Sequence, residues 1–178
     1  MQDSQLYKAI RNNDKEAFEL LFDRHYSKLC YFAMQFSVGK EIAEEVVADV
    51  LLKLWDNRKK TEIHNLLPFL YTSVKNATLN LKKTTKQQPV WLDDTDCVVG
   101  EETQEFKLII REELRSVQDI IDQMPQRRRT IFILNRIDGL KYKEIAEILN
   151  ISVFTVQNQM VEAVKYLNSK YPNKKLLN

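Results

Sequence analysis

The stretch YKEIAEILN-ISVFTVQNQMVEAV, Tyr142 to Val164, decides the reading of this chain. Ile145, Ala146, Ile148 and Leu149 fall on one helical stripe, Asn150-Ile151-Ser152 interrupts it, and Val156, Met160, Ala163 and Val164 begin a second. Two short helices around a tight turn predict a helix-turn-helix. The small Ala146 suits a close helix crossing, Asn150 tolerates left-handed geometry without being glycine, and the Ser152 hydroxyl is placed to cap the next helix. The second helix is then expected to read DNA. Its first turns offer Phe154, Thr155, Gln157, Asn158 and Gln159, groups suited to base edges and phosphates, with no carboxylate before Glu162. An ordinary pair of packed helices with a polar outer face would share this pattern.

Working outward, composition narrows the possibilities. The chain has 178 residues, enough for one domain or two small ones, and only 3 Gly and 4 Pro, which favours long helices over a sheet with many turns. No apolar run reaches the roughly 18 residues that span a bilayer. With no basic-then-apolar leader, the expected place is the cytoplasm. The two cysteines form no Cys-x-x-Cys pair, and only His25 and His64 could join them as soft ligands, so no metal or other cofactor is expected; Cys30 reads as a small buried hydrophobe.

The net charge of +2 hides an uneven distribution. Residues 1–83 carry 13 Lys+Arg against 11 Asp+Glu, residues 84–113 carry 3 against 8, and residues 114–178 carry 11 against 6. The basic block is therefore the one that holds the helix-turn-helix, as nucleic-acid binding would require.

Upstream, a helix is expected to open near Asn13-Asp14 and to bury Phe18, Leu21, Phe22, Tyr26, Leu29, Phe32, Ala33 and Phe36, ending or bending at Gly39. A second, from about Glu41 to Trp55, is expected to turn Ile42, Ala43, Val46, Val47, Val50, Leu51, Leu54 and Trp55 inward, leaving Glu44, Glu45, Asp49 and Lys53 outside. Residues 56–65 read as a charged loop. Pro68 suits the first turn of a third helix, Phe69 to about Lys83, with Leu70, Val74, Ala77 and Leu81 as its inner stripe. Periodicity is lost over Thr84 to Glu102, an acidic linker between two domains. Helical pattern resumes at about Thr103, breaks at Met124-Pro125, restarts over Gln126 to Asp138, turns at Gly139 and enters the helix-turn-helix; YPNKKLLN closes the chain as a tail. The fold class is thus all-α, with domains at 1–83 and 111–178 around a linker at 84–110. No phosphate loop, nucleophile elbow or paired catalytic carboxylates occur, so an enzyme is not expected.

Two helical modules, an acidic linker and a terminal helix-turn-helix in this order resemble a bacterial sigma factor of the sigma-70 family, in its extracytoplasmic-function (ECF) group. DKEAFELLFDRHYSKLCYFA (14–33) is similar to the start of the sigma-2 domain, IAEEVVADVLLKLW (42–55) to the helix that docks on core polymerase, and PFLYTSVKNATLNLKK (68–83) to the helix that melts and reads the −10 element. Residues 124–164 are similar to the sigma-4 domain that reads −35. The resemblance implies core RNA polymerase and promoter DNA as partners, together with an anti-sigma factor. It places polymerase contacts at Glu45, Asp49, Lys53 and Trp55, and −10 contacts at Arg58, Lys59, Lys60, His64, Asn65, Tyr71, Lys75, Asn76, Asn80 and Lys82, where His64 and Tyr71 are candidate stacking groups. The −35 contacts fall at Arg136, Lys141, Tyr142, Lys143, Ser152, Phe154, Thr155, Gln157, Asn158 and Gln159. The chain departs from the family pattern at Ala48, where glutamine is usual, at Leu51, where phenylalanine is usual, at Asn80, where aspartate is common, and at Phe154, where lysine or a small polar residue is frequent. Two rival classes fit parts of the sequence: a free-standing helix-turn-helix regulator, which would dimerise on a palindrome, and an anti-sigma or adaptor protein that binds only protein. A sigma factor would be a monomer when free, without membrane insertion, and would bind promoters well only with polymerase.

Overall fold

A computed structural model describes residues 2–36, 38–84 and 115–170, except for the side chains at 82, 84 and 115–118. The expected linker, the helical stretch from Thr103 to residue 114, Cys97 and the YPNKKLLN tail lie outside the described residues. Those that are described form eight helices and no strand: α1 (Asp3–Arg11), α2 (Lys15–Met34), α3 (Lys40–Asp56), α4 (Leu66–Thr84), α5 (Arg115–Asp122), α6 (Gln126–Arg136), α7 (Tyr142–Leu149) and α8 (Val153–Lys170). The fold is all-α. It divides into two compact units, one within residues 1–90 and one within 91–178.

In the first unit α2 packs on α1, α3 and α4, and α3 packs on α4. Asp14 starts α2 by accepting from the Ala17 backbone N–H at 3.0 Å, the cap its position foretold. Leu21, Leu29, Phe32, Ala33, Val46, Val47, Leu51, Leu70 and Val74 meet in the core. Four features differ from the sequence reading. α2 ends at Met34, and Gly39 instead precedes the first turn of α3. Ile42 is exposed in that first turn, and Leu81 is exposed near the end of α4, where it lines a groove between α3 and α4. Finally, α1 was not anticipated: nine residues with Leu6, Tyr7 and Ile10 as the buried ones make too short a stripe to stand out. A helix that short holds through tertiary packing and not through propensity.

α1 is fastened at its first turn. The Asp3 carboxylate lies 2.7 Å from Arg24 Nη1 and 3.0 Å from the buried His25 Nε2, both on α2. Burial raises the Asp3 pKa, but the hydrogen bonds and charges of Arg24 and His25 outweigh it and hold the carboxyl below its ordinary value.

In the second unit α6 and α7 pack on α8, with Ile131, Leu134, Ile145, Ile148, Val156, Met160 and Leu167 between them. Gly139 takes φ +72°, a left-handed conformation that favours glycine, where the chain reverses between α6 and α7. The Asn135 amide donates to the Leu140 carbonyl at 2.8 Å and closes that turn.

Candidate nucleic-acid and protein interfaces

The helix-turn-helix forms as its residues demand. Lys141 precedes α7, and its backbone N–H donates to the Glu144 carboxylate at 2.8 Å. Asn150 ends α7 at φ 56°, ψ 50°, and the Ile151 N–H reaches back to the Ala146 carbonyl at 3.0 Å. Ser152 Oγ accepts from the Thr155 N–H at 3.0 Å and lies 2.8 Å from the Thr155 hydroxyl. These two hydroxyls are thus engaged in starting α8. What the turn presents is Phe154, 69% exposed, beside exposed Gln157 and Asn158. Gln159 is half-buried, and its Oε1 accepts from Arg128 Nε at 3.3 Å. Arg136, Lys141 and Lys143 are exposed, and Tyr142 is half-buried. The sequence reading missed Arg128 and Arg129. Arg129 is buried and donates to the Asp122 carbonyl at 2.8 Å, so it holds the α5 end onto α6.

In the first unit Glu45, Asp49 and Lys53 are exposed along α3, and the Lys53 ammonium lies 4.0 Å from Asp49. An open pair of this kind contributes little to stability and leaves both groups available to a partner. Trp55 is different. Its ring packs 5.1 Å from Phe18 and lies under the Arg58 guanidinium at 4.1 Å, and it is half-buried.

The expected −10 residues differ in exposure. Lys59, Lys60, His64 and Asn65 are exposed in the loop, while Arg58 is half-buried and donates to the Asn13 side chain at 2.9 Å. Asn76 and Asn80, one turn apart on α4, face a groove of about 630 Å³ whose other wall carries Glu45, Asp49 and Lys53 of α3. Phe69 and Ser73 line the same groove and were not anticipated. Lys75 lies to the side of that face, partly buried, and burial pulls its ammonium below the ordinary value. The side chain of Lys82 is not among those described. Tyr71 corrects an expectation: it is 1% exposed and packs edge-on against Phe32 at 4.9 Å, so its ring cannot stack on a base. Its place on the inner face, one residue from Leu70 and three from Val74, makes it core.

One unit carries a helix-turn-helix with exposed polar and basic groups, and a separate helical unit in the same chain carries exposed acids on α3. The comparisons define the class. Residues 21–87 match the model of sigma-70 region 2, and residues 114–167 match that of sigma-70, region 4. Among curated relatives, the chain is 25% identical to the RNA polymerase sigma-H factor of Pseudomonas aeruginosa over 91% of this chain and 90% of that protein. It is 24% identical to the ECF RNA polymerase sigma-E factor of Haemophilus influenzae over 96% and 95%, and 23% identical to the ECF RNA polymerase sigma factor SigW of Bacillus subtilis over 86% and 88%. A solved structure, that of CnrH in complex with the cytosolic domain of CnrY, shares the fold with a TM-score of 0.55 and 20% identity, covering 94% of this chain and 95% of that one. The chain belongs to the sigma-70 family of RNA polymerase sigma factors, in its ECF group. It is a sigma factor that directs transcription, and the reading as a free-standing regulator is not favoured.

Proposed function

We propose that this sigma factor binds core RNA polymerase through the exposed α3 face of Glu45, Asp49 and Lys53, holds the opened −10 strand with the loop from Lys59 to Asn65 and the α4 amides, and reads −35 with α8. In this reading residues 1–83 and 111–178 are the two working domains, and 84–110 the linker. The observation that carries it is the first turns of α8, where Phe154, Gln157 and Asn158 are exposed, in the same unit as exposed Lys141 and Lys143. Amides of this kind pair bidentately with adenine, and an apolar ring suits a thymine methyl. On α3, Trp55 supports the docking helix from behind through Phe18, and Glu45 and Asp49 supply the charge a basic partner would meet.

The factor works by binding and not by catalysing a reaction of its own. It acts as a monomer on polymerase in the cytoplasm; among the described residues no helix is long and apolar enough to cross a membrane. An inhibitory anti-sigma protein is a further partner, a reading supported by the complex in which the similar CnrH structure was solved.

Run-off transcription with purified core polymerase and the region upstream of the gene for this protein tests the whole assignment. Transcripts should require both proteins, and Asp49→Lys should abolish core binding without changing thermal melting. Normal binding by that variant would remove α3 from the docking surface.

A further inference from the structure

α1 takes no part in the surfaces assigned above, yet it is tied to one of them. At its centre Tyr7, 5% exposed, donates its hydroxyl to the Thr61 carbonyl at 2.7 Å across 54 positions of sequence. Burial pushes that hydroxyl above its ordinary pKa. Just beyond the helix, Asn13 sits at φ 67°, and its side-chain oxygen accepts from Arg58 Nε at 2.9 Å across 45 positions. Arg58 in turn donates to the Trp55 carbonyl and covers the Trp55 ring. The loop is therefore gripped at its beginning and its middle, and the exposed Lys59, Lys60 and His64 are carried on the gripped backbone. The other end of α1 is anchored to α2 through Asp3, Arg24 and His25.

We propose that α1 is a strut that sets the path of the −10 loop, with Tyr7 and Asn13 as positioning residues for promoter opening and −10 preference. The proposal rests on the reading that this loop holds the opened strand. The physical reason is preorganisation: a loop fixed before binding loses less conformational freedom when a strand is captured, and it presents its side chains to one base in one register. Asn13 is suited to this because an asparagine adopts left-handed backbone geometry at low cost while still offering an acceptor.

The test uses polymerase reconstituted with full-length protein. Tyr7→Phe combined with Asn13→Gly removes both grips but keeps the buried ring and the left-handed turn, so folding should survive. Asn13→Asp keeps an acceptor for Arg58 and serves as the conservative variant. The measurements are permanganate reactivity of opened thymines, transcription from templates with single-base changes at −10 and at −35, and thermal melting. The double variant should open promoters about three- to tenfold less well, the net worth of one or two hydrogen bonds. It should also discriminate less among −10 bases with its −35 preference intact, and Asn13→Asp should behave as the wild type. If the double variant keeps full −10 discrimination while His64→Ala loses it, the loop reading stands and the strut is overturned. A loss shared equally by −10 and −35, with a lowered melting temperature, also overturns it as mere support of the fold. Should His64→Ala and the double variant both be silent, the loop reading falls and the strut with it.

Discussion

Gln157 and Gln159 stand two residues apart on α8 and face different tasks. Gln157 is exposed, whereas Gln159 already receives a hydrogen bond from Arg128. Gln157→Ala should therefore cost roughly 1–3 kcal/mol of discrimination at one −35 base. Gln159→Ala should cost less base preference, since its oxygen is spent within the protein. Transcription from templates with single −35 substitutions measures both, and equal effects would mean that Arg128 releases Gln159 on binding. Cys30 makes a second case at this scale. Burial pushes its thiol up to about 11, so little thiolate exists at neutral pH. In a Cys97→Ser background, a thiol-reactive reagent at pH 8 should label Cys30 only after denaturation; rapid labelling of the native protein would place the thiol at the surface. The sequence foretold that burial from the helical stripe. For Tyr71 it left a core place and a stacking role equally open, because an aromatic between an apolar inner face and a polar outer one is assigned by what packs against it, and Phe32 is 39 residues away.

At the scale of elements, the connection between α7 and α8 was legible almost atom by atom. The left-handed Asn150 and the Ser152 cap are local consequences of residue type, requiring no distant partner. Their contributions can be measured. Asn150→Gly should leave stability nearly unchanged, Asn150→Ala should lose about 1–2 kcal/mol for a left-handed alanine, and Ser152→Ala about 1 kcal/mol for the lost cap. Urea unfolding gives these values directly, and an Asn150→Ala variant as stable as the wild type would mean that the turn can rearrange. α1 is the opposite case. Its hydrogen bond to Thr61, its ion pair to Arg24 and the bond from Arg58 to Asn13 just after it are all long-range in sequence, so no local pattern announced it. The same holds for the groove in which the α3 acids oppose the α4 amides: each face was visible, but not that they share one opening.

For the molecule as a whole, charge and modularity set the behaviour to expect. The basic balance lies in residues 114–178 and the acids in 84–113, so the free protein should meet DNA weakly and gain promoter affinity with polymerase. Sedimentation should show a monomer. Promoter binding by the holoenzyme should fall with salt, and Lys143→Ala should weaken all sequences about equally while reducing the slope of log affinity against log salt by about 1. A tight dimer bound to a palindrome without polymerase would contradict this picture. The all-α class, the helix-turn-helix with its turn chemistry, the run of helices from α2 to α4 and the asymmetry of charge were determined by the sequence alone, because each follows from spacing of three to four residues or from simple composition. Only tertiary structure decided that Trp55 is clasped by Phe18 and Arg58, that Tyr71 is core, that Gln159 is engaged, and that a short helix at the start of the chain holds the loop that follows α3. These are matters of which surfaces meet across long separations, and they are settled by the burial and hydrogen bonding of the assembled fold.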